Sequence, residues 1–408
     1  MIIGLGGAVA STAIAGIELL KNGKIGTEGL PLADLPENLT SGLAVYKNLV
    51  FTGWDLNADD LAVAATTHNV LTLQQFSAVS EELQAAKPLA AVVNSAFCHN
   101  IEGKNVFAAA NHSVAVEKLR NDVRRFKNAS GAESIVIINL ASTESFVVKD
   151  SEIFATLENF EKALGDNSPE ISPAMIYAYA AIGEKIPYGN FTPSVAADIP
   201  ALVEYAEKKG VPIAGKDGKT GQTFIKTVIA PGLKARALKV DGWFSTNILG
   251  NRDGFALQHP DSLKSKITTK GSVLDDILGY AVEDHLVDIR YYRPRGDNKE
   301  AWDNIDIIGF MGQPMQLKIN FLCKDSILAA PLVIEIARLL DYAQRCGEKG
   351  VQTQLSTFFK LPQVSDESSE TPEHAIHKQQ QMLLEWLEAR GSDSSVTSEV
   401  ELAAIAGG

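Results

Sequence analysis

Four short polar motifs stand between apolar segments in residues 215–329, and they contain residue types that bind phosphate. They are Gly215-Lys-Asp-Gly-Lys-Thr-Gly-Gln-Thr223, Leu249-Gly-Asn-Arg-Asp-Gly254, Ser265-Lys-Ile-Thr-Thr-Lys270 and Gly296-Asp-Asn-Lys299. The residues Lys219–Thr223 come directly before a predicted helix, so their free N–H groups and hydroxyls would face an anion at the helix start. The sequence therefore predicts a phosphate-binding catalytic pocket.

Each of these motifs also has a simpler interpretation. Serine or threonine before a helix is most often only an N-cap. Lys266 and Lys270 lie four residues apart, which in a helix is the spacing of a solvated basic face, unless an anion lies between the two charges. Lys299 follows a Gly-Asp-Asn turn and could project its charge into a cleft, but that position alone proves little.

The N-terminus carries a second glycine motif, Gly4-Leu-Gly-Gly-Ala-Val-Ala-Ser-Thr12. A short buried strand, Met1–Ile3, precedes it and a helix, Val9–Leu20, follows it. Glycines at such a turn let the backbone and a helix start approach the diphosphate of a dinucleotide. The third glycine of the usual spacing is absent, since Val9 stands there, so a plain tight turn remains the alternative.

A dinucleotide site of this kind also needs a carboxylate for the ribose, expected about 20 residues further on. Glu28, Asp34 and Asp55 are the candidates by position. Asp55 is preferred because it follows a predicted strand, Asn48–Thr52, although a carboxylate in a surface turn is the other reading.

Composition narrows the class of protein. A chain of 408 residues with 45% hydrophobic and 21% charged residues is globular and long enough for two domains. The formal net charge of −13 argues against a nucleic-acid partner. No run reaches the length of a membrane span, and the apolar N-terminus lacks the preceding basic residues of a signal peptide.

Cysteine and histidine usage narrows the chemistry. Cys98, Cys323 and Cys346 are too scattered for a disulfide framework or a zinc site, which fits a reducing cytoplasm. The histidines show no H-x-x-x-H spacing and no G-x-S-x-G is present, so zinc and serine hydrolases are disfavoured. We predict no metal site.

The first part of the chain alternates strands and helices. Ser134–Leu140 is apolar on both faces, as a strand in a parallel sheet requires, and helices are expected at about 58–67, 73–86, 112–127, 151–164 and 196–209. This alternation indicates an α/β fold with a doubly wound, Rossmann-type sheet.

The pattern changes after residue 223. Helices are expected at about 221–230 and at Gly271–Leu278, and a strand at about 237–245. Val287–Tyr291 and Gln316–Phe321 alternate apolar and polar residues, which is typical of an antiparallel sheet with one covered face. A long apolar helix, Asp325–Arg345, with a kink or restart at Pro331, then returns to the first pattern. We therefore predict a Rossmann-type domain of residues 1–223 and 329–408, with an inserted α+β domain of residues 224–328.

The motifs, taken in order, resemble those of the myo-inositol-1-phosphate synthase family. The seven matching segments are Gly4–Gly7, Gly53–Asp55, Lys219–Thr223, Leu249–Gly254, Ser265–Lys270, Gly296–Lys299 and Asp325–Pro331. A weaker match, His377-Lys-Gln379, resembles the family's C-terminal helix and adds Lys378. Seven matches in one order, spanning residues 4–331, make the resemblance highly specific.

The resemblance implies an enzyme of inositol biosynthesis that converts D-glucose 6-phosphate to an inositol monophosphate, using NAD without net consumption. The implied steps are oxidation at C5, enolisation at C6, aldol closure onto the C1 aldehyde and return of the hydride. The family's inserted sheet builds a homotetramer. Developing enolate and alkoxide charges need fixed positive partners, which preorganised ammonium groups supply.

The resemblance also assigns roles to residues. The implied contacts of the substrate phosphate are Lys219, Thr220, Gly221, Gln222, Thr223, Lys270 and Lys299. Lys266 and Lys378 would face the reacting sugar oxygens, and Asp325 would orient lysine and hydroxyl groups near the nicotinamide. The implied NAD contacts are Gly4, Gly6, Gly7, Ala8, Val9, Ala10, Asp55, Ala141, Ser142, Asp217, Thr220, Asn251, Arg252, Asp253 and Ala329.

Two departures and two alternatives remain. Ala8-Val9-Ala10 stands where the family commonly has Asn-Asn-Gly, and Arg252 replaces an asparagine. A sugar-phosphate dehydrogenase that releases NADH, or an NAD-binding scaffold without activity, would share part of this pattern. Lys266 and Lys378 favour the isomerase, because hydride transfer alone would not require an ammonium cluster. Whether a cation assists is left open.

Overall fold

The computed structural model describes residues 1–99, 103–250, 272–366 and 369–391, and it contains two β-sheets. The strands are β1 (Ile2–Ile3), β2 (Gly53–Asp55), β3 (Leu89–Ala90), β4 (Ile137–Asn139), β5 (Tyr188–Asn190), β6 (Pro212–Gly215), β7 (Lys239–Leu249), β8 (Asp284–Tyr291), β9 (Asn298–Ile308), β10 (Pro314–Lys324) and β11 (Gly350–Val351).

The helices of the described ranges lie between these strands. They are α1 (Ala8–Lys21), α2 (Glu37–Thr40), α3 (Leu61–His68), α4 (Leu73–Ser77), α5 (Ser80–Ala85), α6 (His112–Ser130), α7 (Leu157–Gly165), α8 (Pro173–Gly183), α9 (Pro200–Lys209), α10 (Gly221–Ala235), α11 (Ser272–Leu278), α12 (Asp325–Arg345) and α13 (Ile376–Gly391). Within the described ranges, no helix is both long and apolar enough to cross a membrane.

The first sheet is parallel and has the strand order β11-β6-β5-β4-β1-β2-β3. Its centre is apolar: Ile2 pairs with Gly53 on one side and with Ile138 on the other, and both isoleucines are buried. The chain winds outward in both directions from β1, so a crevice opens at the carboxyl ends of β1 and β4. The predicted doubly wound, Rossmann-type sheet is confirmed.

The second strand lies later in the chain than we predicted. Residues 49–52 are not in a strand, and β2 begins at Gly53. A Cβ atom at this position would lie 1.8 Å from the carbonyl oxygen of Ile2. Glycine has a low strand propensity, but here its missing side chain allows the two backbones to pair.

Helix α12 connects the two halves of the Rossmann-type domain. It begins at Asp325, continues through Pro331 without a break and packs Ala330 and Ile334 against Ala13 and Ile17 of α1. The restart that was one of the two outcomes expected at Pro331 is therefore not found. The carboxyl group of Asp297 accepts hydrogen bonds from the Ser326 hydroxyl at 2.6 Å and the Ser326 N–H at 3.2 Å, which satisfies a donor at the helix start.

The second sheet has the order β10-β9-β7-β8 and is mixed. β9 pairs antiparallel with both β7 and β10, but β7 and β8 are parallel. The prediction of an antiparallel sheet is thus corrected for one strand. Parallel neighbours need a long crossover connection, and the chain between Leu249 and Asp284, which contains α11, supplies it.

One face of this second sheet packs on helices α10 and α11. Trp243, Ile305 and Ile307 form its buried side together with Ala230 and Leu274. The sheet strands lie in the chain between α10 and α12. The exact division into domains at residues 223 and 329 stays a prediction.

Candidate active site

A cavity of about 630 Å³ opens at the carboxyl ends of the parallel strands. It extends from the glycine turn before α1 to the start of α10. Among its lining residues are fourteen positions that we predicted: Gly4, Gly6, Gly7, Ala8, Val9, Ala10, Asp55, Ala141, Ser142, Asp217, Thr220, Lys299, Asp325 and Ala329. The structure therefore brings together side chains that lie more than 300 positions apart in the sequence.

The glycine turn has the shape that a dinucleotide diphosphate requires. Gly4 has a φ angle of +86°, and a Cβ there would lie 3.0 Å from the Leu140 carbonyl oxygen and 3.1 Å from the backbone of Ala141. Gly7 precedes α1 and provides no side-chain cap. The first N–H groups of this helix are therefore available to an anion in the cavity, which fits NAD.

Asp55 lies beside this turn, at the end of β2. Its Oδ2 accepts a hydrogen bond from the Gly6 N–H at 2.8 Å, and its Oδ1 accepts one from the Asn57 N–H at 2.9 Å. In dinucleotide-binding folds this is the position of the carboxylate that binds the ribose hydroxyls. The other two candidates, Glu28 and Asp34, do not line the cavity.

The other end of the cavity is charged. The Asp325 Oδ1 accepts hydrogen bonds from the Thr220 hydroxyl at 3.0 Å and from the Lys299 ammonium at 3.3 Å. The Lys360 ammonium donates to the Asp217 Oδ1 at 2.7 Å. Both lysines are 7% exposed, so their charges act where water screens them little.

A smaller recess leads off this end of the cavity, and we call it the anion recess. Its lining consists of Thr220, Gln222, Thr223, Asn247, Leu249, Ile289, Lys299 and Lys360. The Thr220 side chain does not cap α10, because its hydroxyl donates to Asp325 instead. The recess has a volume of about 10 Å³, the space of one water molecule. Gly221 at the start of α10 lies beside Lys299, and Lys360 lines the same recess, so the place where the cavity meets the recess favours an anion.

Gly221, the first residue of α10, lies close to the Lys299 side chain. Its φ angle is +57°, and a Cβ at this position would lie 3.1 Å from Cε of Lys299. The glycine in the predicted phosphate motif therefore permits both the turn and the close approach of the lysine.

Two predicted lysines point elsewhere. The Lys219 ammonium contacts the Gln379 side chain, and burial lowers the pKa of Lys219 from its ordinary value of 10.5 to about 7. Lys378 forms an ion pair with Glu373 at 3.0 Å, and 60% of its side chain is exposed. Neither residue lines the cavity, and the predicted roles of both stay predictions.

Five further predicted residues lie outside the described residues, and their roles stay predictions. They are Asn251, Arg252, Asp253, Lys266 and Lys270.

The sequence analysis missed Lys360, which lines both the cavity and the anion recess. It belongs to the segment Ser356-Thr-Phe-Phe-Lys-Leu-Pro362. A single lysine among apolar residues was the available signal. Its place is set by backbone pairing across the fold, since the Lys360 N–H donates to the carbonyl oxygen of Asp217 at 2.6 Å.

His68 is a second missed residue. Its Nε2 lies 2.9 Å from the carbonyl oxygen of Gly6 and it lines the cavity, so it supports the glycine turn. In the part of the chain that the structure describes, no group of three or more histidine, cysteine, aspartate or glutamate residues is placed to hold a metal ion.

The fold and the cavity define an enzyme of the Rossmann type, with a dinucleotide cleft that continues into an anion recess. The model of the myo-inositol-1-phosphate synthase family matches residues 37–388. The chain belongs to this NAD-binding family, and the predicted family membership is confirmed.

Individual relatives agree with this assignment. The chain is 42% identical over 405 residues to inositol-3-phosphate synthase 1 of Bacteroides thetaiotaomicron, covering 95% of this chain and 94% of the relative. The crystal structure of inositol-3-phosphate synthase from Caenorhabditis elegans matches with a TM-score of 0.88 at 26% identity, covering 97% of this chain and 86% of that one. A myo-inositol-1-phosphate synthase-related protein from Thermotoga maritima matches with a TM-score of 0.77 at 25% identity, covering 94% and 97%.

Proposed function

We propose that this protein is an NAD-dependent inositol-3-phosphate synthase that cyclises D-glucose 6-phosphate to 1D-myo-inositol 3-phosphate without net consumption of NAD. One observation carries the proposal: a single cavity joins the glycine turn and Asp55 to the anion recess with its two buried lysines. The similarity to the Bacteroides inositol-3-phosphate synthase over 95% of the chain supports it.

The cofactor end would hold NAD through the backbone. The uncapped start of α1 and the glycine turn would bind the diphosphate, and Asp55 would accept hydrogen bonds from a ribose. Held by these residues, NAD would supply the hydride acceptor and donor that a redox-neutral reaction needs.

The substrate phosphate would lie where the cavity meets the anion recess, against the start of α10, Lys299 and Lys360. Fixing the phosphate away from the reacting carbons would hold the open-chain sugar in a conformation that can cyclise. The predicted Lys266, Lys270 and Lys378 would complete the set of cations around the sugar oxygens.

Asp325 would orient the side chains of Thr220 and Lys299 beside the sugar phosphate. It accepts hydrogen bonds from both Thr220 and Lys299, so it would keep the ammonium group aimed at the recess. Preorganised charges of this kind stabilise enolate and alkoxide oxygens without reorganisation during the reaction.

The activity can be tested with purified protein, glucose 6-phosphate and a catalytic amount of NAD. We expect many molecules of periodate-sensitive inositol phosphate per NAD and no net rise in absorbance at about 340 nm, because the hydride is returned. NADH formed in proportion to the sugar consumed would instead identify a dehydrogenase. Tight NAD binding without turnover would identify a scaffold, and either result overturns the proposal.

We further propose that the protein is a homo-oligomer, a homotetramer by the family resemblance, assembled through the second sheet. The face of this sheet that is turned away from α10 carries four exposed apolar side chains: Leu286, Phe244, Trp302 and Leu322. Phe244 pairs with Leu286, while Trp302 and Leu322 lie on neighbouring strands further along. They form a diagonal apolar stripe, which is typical of a contact between subunits.

Replacing Trp302 by glutamate is expected to lower the assembly state, because a charge would be buried at the contact. Light scattering coupled to size-exclusion chromatography would show the mass falling toward that of a single chain. Val148→Glu is the matched control, since Val148 is 61% exposed on the Rossmann-type domain. A monomeric wild-type protein, or an unchanged mass for Trp302→Glu, would contradict this assembly surface.

A further inference from the structure

We infer that Asp303 is a positioning residue for the substrate phosphate, acting from the second sheet through Gln222 on the start of α10. The inference rests on the proposed function, which places the phosphate where the cavity meets the anion recess. Asp303 lies on β9, does not line the cavity or the recess and is 2% exposed.

Three donors converge on one oxygen of Asp303. Its Oδ1 accepts hydrogen bonds from the indole N–H of Trp243 at 2.7 Å, the hydroxyl of Ser245 at 2.7 Å and the Nε2 amide of Gln222 at 3.3 Å. The first two donors belong to β7, next to β9 in the sheet, whereas Gln222 belongs to α10. The carboxylate therefore connects the helix that begins at the recess to the sheet beneath it.

The other end of the Gln222 amide is also held by the sheet. Asn247 of β7 donates a hydrogen bond from its Nδ2 to the Gln222 Oε1, and Asn247 is 1% exposed. The amide is thus bonded at both ends by buried side chains. The phosphate motif would then contact its ligand mainly through backbone N–H groups, while the side chain of Gln222 holds that backbone in place.

A second side chain of α10, Lys226, is held by the same sheet. Lys226 lies one turn after Gln222, and burial lowers the pKa of Lys226 to about 8, while the charge of Asp303 opposes this shift. The Lys226 ammonium is also 2.6 Å from Nε2 of His285 on β8. The first two turns of α10 are therefore fixed against three strands of the sheet.

A purely structural role and a positioning role make different predictions. If Asp303 only stabilised the core, its removal would lower the stability of the whole protein. Phosphate binding and NAD binding would then weaken by similar factors. If it positions the start of α10, phosphate binding changes while the NAD cleft, built from the glycine turn and Asp55, does not. The ratio of the two affinities separates the roles.

The experiment compares Asp303→Asn and Asp303→Ala with wild-type protein. Calorimetry would give the Kd of inorganic phosphate and of NAD, and kinetics would give KM and kcat for glucose 6-phosphate. Because a hydrogen bond to a charged group is about twice as strong as a neutral one, Asp303→Asn is expected to weaken phosphate binding several-fold. Asp303→Ala, which leaves three donors unpaired, is expected to weaken it about tenfold or more.

The NAD affinity, the kinetic constants and a control variant separate positioning from a general loss of stability. We expect the Kd of NAD to stay within about twofold and KM to rise more than kcat falls, as for a lost contact made in both ground and transition states. Asp241→Asn on β7, where the side chain is 53% exposed, should match wild-type protein. If Asp303→Ala does not fold, Asp303→Asn decides.

Two outcomes overturn the inference: unchanged phosphate affinity in the folded variants, or an equal loss of NAD affinity. Wild-type protein that fails to bind phosphate also overturns it. Wild-type protein that binds phosphate but makes no inositol phosphate refutes the proposed function alone, since the affinity ratios of the variants still report on Asp303.

Discussion

Lys360→Met is expected to lower kcat/KM for glucose 6-phosphate by about 10³-fold, the upper range for removal of one preorganised electrostatic group. The Lys360 side chain is buried, lines the anion recess and lies 2.7 Å from Asp217. Methionine keeps most of the apolar stem but removes the charge. The cavity would then present the Asp217 carboxylate to the phosphate without the ammonium that balances it, so both binding and chemistry should be weakened.

This loss must be separated from a loss of stability. Removing one partner of a buried ion pair typically costs about 3–5 kcal/mol, so activity should be measured well below the midpoint of thermal unfolding. Lys216→Met is the matched control. Lys216 is the residue before Asp217, pairs with Asp198 at 2.6 Å with 10% of its side chain exposed, and does not line the cavity.

We expect Lys216→Met to lower the melting temperature while retaining most of the activity. The comparison assigns the effect of Lys360→Met to the recess rather than to burial of a lysine in general. Retention of more than about a tenth of wild-type kcat/KM by Lys360→Met would reject its place beside the substrate. An equal loss in both variants would point to folding instead.

The parts of the site that the sequence predicted are those with a local cause. A glycine turn between a strand and a helix is determined by neighbouring residues, and so is an uncapped helix start such as that of α10. Asp55 was found because a carboxylate at the end of a strand has a defined place in a parallel sheet. Its carboxylate indeed meets the Gly6 N–H.

Other parts depend on contacts that no local pattern encodes. Lys360 reaches the recess because its backbone pairs with Asp217, and Asp303 meets Gln222 across 81 positions of sequence. The direction of Lys219 depends on Gln379 of the C-terminal helix. Likewise, an alternating strand pattern does not state whether its neighbour is parallel, so the orientation of β8 could not be predicted.

Gly4→Ala is expected to weaken NAD binding by about two orders of magnitude, since the diphosphate site depends on the turn that this residue makes. The φ angle of +86° is one that alanine rarely adopts, and the new Cβ would lie 3.0 Å from the Leu140 carbonyl oxygen and 3.1 Å from the backbone of Ala141. These neighbours are backbone atoms next to β4, so they cannot turn aside as a side chain could. The turn itself must move, and with it the start of α1.

Gly16→Ala provides the matched control within the first β-turn-α unit. Gly16 lies in the interior of α1, and a Cβ there would meet nothing within 4 Å. Alanine at this position should stabilise the protein by about 0.5–1 kcal/mol, because glycine weakens a helix interior.

NAD binding, by calorimetry, and thermal unfolding would be measured for both variants. Opposite outcomes for the same chemical change, lost affinity at Gly4 and raised stability with normal affinity at Gly16, would show that the backbone conformation of the turn holds the cofactor. Normal NAD affinity in Gly4→Ala would instead place the diphosphate away from this turn.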